Sequence, residues 1–245
     1  MSLVHSLEKQ GNFLFKYRGQ FPLVLFVLVV PFLYYTEIPL YSERIIWNYF
    51  ALLVCLFGFL IRFYTIGTTP KGTSGRNTSK QIAESLNITG IYSVVRHPLY
   101  LGNYFIWSGI SIFTYNIYFF IILSILFWIY YKRIIFAEER FLERKFGYEY
   151  VHWSKRVHSF IPSFNMYVKT SISFSAKSIF RREYAGILST VIGFVFVEFF
   201  RVFFKNKEIT DIPFYRNVLI FTFIVVLLIR TLKHYTSLLN EKDRS

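Results

Sequence analysis

Between residues 92 and 103 the chain reads Tyr-Ser-Val-Val-Arg-His-Pro-Leu-Tyr-Leu-Gly-Asn, and this block combines four groups that could do chemistry. They are the cation of Arg96, the imidazole of His97, the phenol of Tyr100 and the amide of Asn103. Pro98 disfavours a helical conformation at the residue before it and suits the first turn of a helix, so we expect a helix to begin here. Free N–H groups at such a helix start can hold a carboxylate. The block therefore indicates a site for an anionic group.

A purely structural interpretation of the same block stays open from the spacing alone. In that interpretation the arginine and the tyrosine extend toward lipid headgroups from an ordinary helix start. Gly102, about one turn into the helix, would let either a ligand or a second helix approach closely. The residue types alone do not choose between a ligand site and a helix contact.

The composition indicates a protein that crosses a membrane several times. Of the 245 residues 54% are hydrophobic and 22% aromatic, with 30 Phe and 19 Tyr, and aromatic residues are expected at membrane interfaces. The net charge of +14 comes from Lys and Arg between the apolar runs, which favours anionic lipid headgroups over nucleic acid as partners. Cys55 is the single cysteine, so a disulfide within the chain and a Cys-x-x-Cys site are excluded.

The apolar runs predict an all-α polytopic membrane protein with about six transmembrane helices and both termini in the cytoplasm. The predicted segments are 21–35, 45–66, the two arms of a hairpin within 99–136, 184–204 and 214–232. The segment 132–182 is rich in Lys and Arg, and by the positive-inside rule it faces the cytoplasm. We expect the first segment to be retained, because no small-residue cleavage site follows it.

The hairpin brings two polar blocks together. No charged residue occurs from Leu99 to Tyr131, a stretch that would form roughly 50 Å of helix and is too long for one span. The polar sequence Thr114-Tyr115-Asn116 marks the break between the arms. Since both ends of a hairpin return to the same side, the Arg96 block should lie next to the pair Glu138-Glu139.

Other charges have structural interpretations at this stage. Arg62, near the end of the second apolar segment, is expected to extend to the membrane interface rather than contact a substrate. Glu198 and Arg201 are three residues apart on one predicted helix and are expected to pair. Without further information, the acidic and basic residues of 138–144 would suit a solvated helix held by ion pairs.

Three motifs resemble the isoprenylcysteine carboxyl methyltransferase family and its phospholipid methyltransferase relatives, which are integral-membrane enzymes that use S-adenosylmethionine. The motifs are Arg-His-Pro-x-Tyr-x-Gly with Thr89-Gly90-Ile91-Tyr92 before it, Glu138-Glu139, and Phe146-Gly147-Tyr148-Glu149-Tyr150. The resemblance implies a methyltransferase core with the S-adenosylmethionine site at 75–162, an N-terminal two-span region at 1–74 and a C-terminal two-span extension at 163–245. Smaller family members end near Ile161-Pro162, so the extension departs from their pattern.

The resemblance also implies which residues form the site. The cofactor-binding residues would be Asn77, Glu84 and Leu86 in the segment before the motifs, which is similar to a part of the family's cofactor pocket, and, within the motifs, Tyr92, Arg96, His97, Pro98, Leu99, Tyr100, Gly102, Glu138 and Glu139. Glu138 would also be catalytic, as the acid that contacts the cofactor. The family has an acceptor-binding arginine four residues before this glutamate, where the chain has Ile134, so we assign catalysis and acceptor binding to Arg133. A carboxylate suits the ammonium group of the cofactor and aromatic rings suit its adenine or sulfonium, whereas no metal is expected.

The predicted function is O-methylation of an anionic lipid-linked acceptor, either a prenylcysteine carboxylate or a lipid phosphate, from the cytoplasmic side. Three alternatives stay open: a phospholipid N-methyltransferase, an NADPH-dependent membrane reductase of the sterol type, and a non-enzymatic lipid-binding protein. The paired glutamates favour the methyltransferase, and the uncharged hairpin argues against a polar pathway through the protein. The predicted location is a prokaryotic inner membrane, with the endoplasmic reticulum as the alternative.

Overall fold

The described part of the chain consists of α-helices joined by short connections. The computed structural model describes residues 3–70, 72, 81 and 83–241, except for the side chains of 21–23. The helices are α1 (Leu3–Lys16), α2 (Phe21–Tyr35), α3 (Tyr41–Gly67), α4 (Pro98–Ile112), α5 (Ile117–Phe146), α6 (Tyr148–Ser154), α7 (Ala176–Asn206) and α8 (Pro213–Tyr235), and two 3-10 turns are Gly90–Ser93 and Phe164–Met166. The predicted all-α class is confirmed for these residues.

Each of the six predicted apolar segments forms a helix. Within the described ranges, α3, α5, α7 and α8 are long and apolar enough to cross a membrane. The helices α2 and α4 have 15 residues each, which corresponds to about 22 Å, less than the ~30 Å thickness of a hydrocarbon core. The structure therefore supports four spans by length and composition, and the six-span count and the side of the termini stay predictions.

The N-terminal residues form a helix that the sequence analysis did not predict. This helix, α1, packs along the second half of α5, where a Cβ added to Gly11 would lie 2.1 Å from the carbonyl oxygen of Arg133. Phe15 is buried in a cluster with aromatic residues of α5, and Glu8 accepts a hydrogen bond of 2.5 Å from Arg144. The local sequence is amphipathic rather than apolar, so a search for spans does not detect it.

The predicted hairpin is confirmed as α4 and α5. Its turn covers residues 113–116, and the side chain of Asn116 caps α5 by accepting a hydrogen bond of 2.9 Å from the Phe119 N–H. The second arm continues beyond the predicted end at Phe136 and stops at Phe146, because Gly147 takes a backbone angle φ of +52° that favours glycine. The extra turns carry Glu138 and Glu139 away from the apolar part of α5.

Small residues allow α3 and α4 to pack closely. A Cβ added to Gly109 would lie 2.4 Å from Cys55 Sγ, and one added to Gly102 would lie 2.5 Å from Arg62 Cγ and 2.8 Å from the Gly58 carbonyl oxygen. These contacts fix α4 against α3 and hold the start of α4 beside the end of α3. Of the two interpretations of Gly102, the helix contact is the one that the structure shows.

The helix α7 packs against α2, α3 and α4 and contacts the hairpin turn at one end of the bundle. There the buried Arg201 donates hydrogen bonds to Glu198 and to the Phe113 carbonyl oxygen, and it lies over the Tyr115 ring with 4.2 Å to the ring centroid. The predicted pair of Glu198 and Arg201 is confirmed. The C-terminal extension is therefore packed into the bundle of the preceding helices.

Candidate functional site

The Arg96 block and the paired glutamates meet at the base of the hairpin, as the sequence predicts. His97 Nε2 donates to Glu139 Oε1 over 3.0 Å, and Arg96 Nε donates to the same oxygen over 2.9 Å. The second ring nitrogen, His97 Nδ1, lies 3.7 Å from Glu138 Oε2. The histidine therefore lies between two carboxylates, one engaged with Arg96 and the other turned to the cavity described below.

Arg96 holds the segment that follows α6 under the start of α4. Its Nη1 donates to the carbonyl oxygens of Ser154 and Val157 over 2.5 and 2.7 Å, and its Nη2 donates to Ser159. The Arg96 N–H also bonds the His158 carbonyl oxygen at 2.9 Å. Because these bonds and the ion pair with Glu139 occupy much of the guanidinium, its geometry suits positioning of His97 more than direct capture of an anion.

Glu138 has a different environment from its neighbour. Its side chain is 22% exposed and lines the cavity together with Tyr100. The Tyr100 ring stacks on His97 with 5.7 Å between centroids. Glu138 thus keeps a partly free carboxylate beside an imidazole and an aromatic ring, an arrangement that can bind an ammonium group.

A cavity of about 400 Å³ opens in front of these groups. The lining includes eight of the residues predicted from the motifs, namely Leu86, Tyr92, Arg96, His97, Pro98, Leu99, Tyr100 and Glu138. Polar groups of the lining that the site prediction did not contain are Arg18, Arg62, Gln81, Ser85, Asn87, Asn103, Tyr131, Arg182 and Glu183. The cavity is therefore built from α1, α3, α4, α5, α6 and α7 and from the connections that follow α1 and precede α4.

Several predicted residues lie elsewhere. Glu139 is beneath the cavity in the ion pair with Arg96, and Gly102 faces α3. Glu84 bonds through its N–H to the Gly72 carbonyl oxygen over 3.2 Å, outside the lining. Asn77 lies outside the described residues.

Arg133 is directed at the N-terminal helix instead of the cavity. Its Nε donates to Gln10 Oε1 over 2.9 Å, and its Nη1 donates to the Ile129 carbonyl oxygen over 2.8 Å. The cavity lining does not include it. Its assigned roles in catalysis and acceptor binding stay predictions, and the structure does not bring it together with the Glu138 carboxylate at the cavity.

Arg62 forms part of a buried polar network, so the expectation that it extends to the membrane interface was wrong. Its guanidinium makes two bonds to Glu183, at 2.7 and 2.6 Å, and one of 2.5 Å to Asn103 Oδ1. Asn103 in turn donates to the Tyr131 hydroxyl over 3.0 Å. The network joins α3, α4, α5 and α7 at the cavity wall. Opposite charges within two apolar segments were the signal that could have revealed it.

Aromatic rings form the remaining wall. Tyr131 lies 4.7 Å from Tyr100 and 4.2 Å from Phe127 between ring centroids, and Trp153 Nε1 donates to the Tyr92 carbonyl oxygen over 3.1 Å. Burial raises the pKa of Tyr92 to about 12, so its phenol is neutral at physiological pH and can donate a hydrogen bond. No group of three or more His, Cys, Asp or Glu side chains suited to a metal occurs in the residues that the structure describes.

Comparison with known proteins agrees with this geometry. Residues 46–149, from α3 to the start of α6, match the family model described as phospholipid methyltransferase. The protein-S-isoprenylcysteine O-methyltransferase of Schizosaccharomyces pombe is 37% identical over 86 residues, which cover 34% of this chain and 36% of that protein. The protein-S-isoprenylcysteine O-methyltransferase B of Arabidopsis thaliana is 35% identical over 77 residues, which cover 31% of this chain and 39% of that protein. No solved structure gives a significant match.

These matches confirm the resemblance inferred from the motifs. The segment 46–149, which matches the phospholipid methyltransferase model, contains the Arg96 block, the paired glutamates and most of the cavity wall. The chain spans little more than a third of the length of the two relatives that it matches. Both relatives are eukaryotic and give no support to the predicted prokaryotic inner membrane.

Proposed function

We propose that the protein is an integral-membrane methyltransferase that uses S-adenosylmethionine to O-methylate an anionic lipid-linked acceptor. The observation that carries this proposal is the cavity at the base of the hairpin, where Glu138, His97 and an aromatic wall converge within the segment that matches the family. The acceptor would be a prenylcysteine carboxylate or a lipid phosphate.

The residues that line the cavity fit the methyl donor. Glu138 offers a carboxylate to the ammonium group, and the rings of Tyr92 and Trp153 suit the adenine. Gln81 and Asn87 add polar groups to the lining, which suit ribose hydroxyls. The expected contribution of the helix-start N–H groups is smaller than predicted, because two amides of the first turn of α4 already bond to the His97 carbonyl oxygen over 3.2 and 3.1 Å.

The protein's own part in catalysis is binding and orientation. When bound, S-adenosylmethionine would supply a sulfonium methyl group: an anionic acceptor oxygen can bond to it without a general base, as the methyl–sulfur bond breaks and S-adenosylhomocysteine leaves. Glu138 and His97 would hold the amino-acid end of the donor, and the rings of Tyr92 and Tyr100 would pack against it. Tyr131, which Asn103 holds by a hydrogen bond, adds an aromatic ring to the cavity wall.

A phospholipid amine is the second candidate acceptor, because the family model that matches carries the description phospholipid methyltransferase. The polar network at Arg62 and Glu183 favours a charged acceptor but does not by itself separate an anion from a zwitterion. The eukaryotic origin of the relatives favours the endoplasmic reticulum as location. We keep the core at 75–162, the flanking two-span regions and the cytoplasmic termini as part of the proposal.

Calorimetric titration of the purified protein with S-adenosylhomocysteine and, separately, with NADPH tests the choice of enzyme class. Binding of S-adenosylhomocysteine but not NADPH supports the proposal, whereas binding of NADPH but not S-adenosylhomocysteine would assign the protein to the reductases. Methyl transfer from radiolabelled donor to a farnesylated cysteine, to phosphatidic acid and to phosphatidylethanolamine then separates the acceptors. Transfer to phosphatidylethanolamine only would replace O-methylation by N-methylation.

A further inference from the structure

Arg18 is the cation that the N-terminal segment contributes to the cavity. It follows α1 and precedes α2, so it lies where a helix on the surface of the bundle gives way to an apolar helix. Its side chain lines the same cavity as Glu138 and His97. The family match begins only at residue 46, so this arginine is outside the matched segment.

The guanidinium of Arg18 keeps a donor available. Its Nη1 is buried and has no hydrogen-bond partner among the described residues. Two other arginines of the lining are engaged, Arg62 by Glu183 and Arg96 by Glu139. A buried N–H group without a partner is costly, and a ligand oxygen placed at this point would remove that cost.

The surroundings of Arg18 suit an anion that is attached to an apolar chain. The guanidinium lies over the Phe15 ring with 4.0 Å to the ring centroid. Phe15 and Tyr131 belong to one buried aromatic cluster and both line the cavity, so the cation lies beside an aromatic part of the cavity wall. The polar lining residues Gln81, Ser85 and Asn87 are assigned to the methyl donor instead.

From these contacts we propose that Arg18 binds the anionic group of the acceptor, with the aromatic cluster beside it taking the lipid chain. The inference rests on the proposed methyltransferase function and deepens it. The shared chemistry is a carboxylate or phosphate oxygen that accepts from the guanidinium. Arg18 then has the acceptor-binding role that the sequence analysis assigned to Arg133, whose guanidinium is held by Gln10 and the Ile129 carbonyl oxygen.

The test measures acceptor affinity directly, without methyl donor, for the full-length protein in detergent. The probes are a farnesylated cysteine with a free carboxylate, its methyl ester, and phosphatidic acid in mixed micelles. The variants are Arg18→Gln and Arg18→Lys, with Lys16→Gln as a matched control, because Lys16 is an exposed cation two residues away. Thermal unfolding confirms that each variant is folded.

We expect Arg18→Gln to lower the affinity for the farnesylated cysteine with a free carboxylate at least about tenfold, as for a lost charge-assisted hydrogen bond. The affinity for its methyl ester should be nearly unchanged. In Arg18→Gln the ratio of acid affinity to ester affinity should therefore fall close to one. Arg18→Lys should keep part of the wild-type ratio, and Lys16→Gln should keep all of it. If phosphatidic acid instead of the farnesylated acid shows this pattern, the anion is a lipid phosphate. A merely structural role would lower acid and ester affinity together and would overturn the proposal.

Two further outcomes separate the possible errors. If Arg18→Gln lowers the affinity for S-adenosylhomocysteine as strongly as the affinity for the acceptor, Arg18 holds the donor's carboxylate and the proposal is wrong. The proposal is also wrong if Arg133→Gln removes the preference for the acid and Arg18→Gln does not. If the wild-type protein binds no S-adenosylhomocysteine, but Arg18→Gln still removes the preference for the acid over the ester, the methyltransferase proposal is wrong and the anion site is supported.

Discussion

Arg62 on α3 and Glu183 on α7 form a two-point ion pair inside the helix bundle, although 121 residues separate them in the chain. The side chain of Arg62 is 18% exposed and that of Glu183 is 3% exposed. The pair joins the second apolar segment to the C-terminal extension at the wall of the cavity. The extension is thus part of the site's support as well as part of the membrane bundle.

We predict that Glu183→Gln lowers the free energy of unfolding by about 3 kcal/mol, because it leaves the buried cation of Arg62 without its counter-charge. Denaturant unfolding in detergent, followed by tryptophan fluorescence, measures the change. The matched control is Asp211→Asn, which breaks an ion pair with Arg216 whose side chains are 52% and 53% exposed. The control should cost at most about 1 kcal/mol, and equal losses in both variants would contradict the prediction.

Substitutions of the two neighbouring glutamates should have different effects on stability and on ligand affinity. Glu139 accepts bonds from Arg96, His97 and Ser159, so Glu139→Gln should lower stability by about 2 kcal/mol, since it weakens a partly buried network. Glu138→Gln should change stability little but weaken the binding of S-adenosylhomocysteine at least about tenfold, because Glu138 is the one of these two glutamates that lines the cavity.

Calorimetry for the ligand and thermal unfolding for stability provide the two measurements. Glu143→Gln is the control, because Glu143 pairs with Arg140 on the surface of the same helix. The distinction between the two glutamates would be lost if Glu139→Gln reduced ligand affinity in a fully stable protein. It would also be lost if Glu138→Gln bound the ligand normally.

The close packing of α3 and α4 gives a third prediction. Gly109→Ala should destabilise the protein by about 1–3 kcal/mol, because the new Cβ would lie 2.4 Å from Cys55 Sγ and 2.6 Å from the Ala51 carbonyl oxygen. Gly186→Ala on α7 is the comparison, since its Cβ would meet only Glu183 Oε2, at 3.6 Å. That variant should be neutral or up to about 1 kcal/mol more stable. Equal melting temperatures for the two variants would show that α3 and α4 are not in this contact.

The docking of α1 should depend on pH through Glu8. The hydrogen bond from Arg144 lowers the pKa of Glu8 from its ordinary value of 4.5. A carboxyl whose pKa is lowered by folding stabilises the docked helix above its ordinary pKa, and this contribution is lost as the pH falls through the lowered value. The protection of α1 amides from hydrogen exchange, corrected for the intrinsic exchange rate, should therefore be constant at pH values above 4.5 and decrease at lower pH.

Glu8→Gln should already have the weaker protection at neutral pH and should show little further change on acidification. Glu143→Gln, which leaves the contact between α1 and α5 intact, should follow the wild type. A decrease on acidification that is unchanged in Glu8→Gln would assign the pH dependence to another group.

Local patterns determined the helices and the meeting of the two polar blocks. Apolar length indicated all six of the predicted helical segments, Pro98 marked the start of α4, and Thr114-Tyr115-Asn116 marked the turn of the hairpin. The neighbourhood of His97 and the paired glutamates followed from the hairpin alone, because both of its arms must return to the same side. Each of these inferences depends on residues that are close in the sequence.

The tertiary structure decided which cations face the cavity. Arg133 is near Glu138 in the sequence but contacts α1, whereas Arg18 and Arg62, far away in the sequence, line the cavity. The side that an arginine presents depends on how each helix is rotated and on which distant residue offers it a carboxylate, as Glu183 does for Arg62. Sequence periodicity contains no information on that choice when several helices are apolar on most of their surface, because their rotation is set only when they pack together.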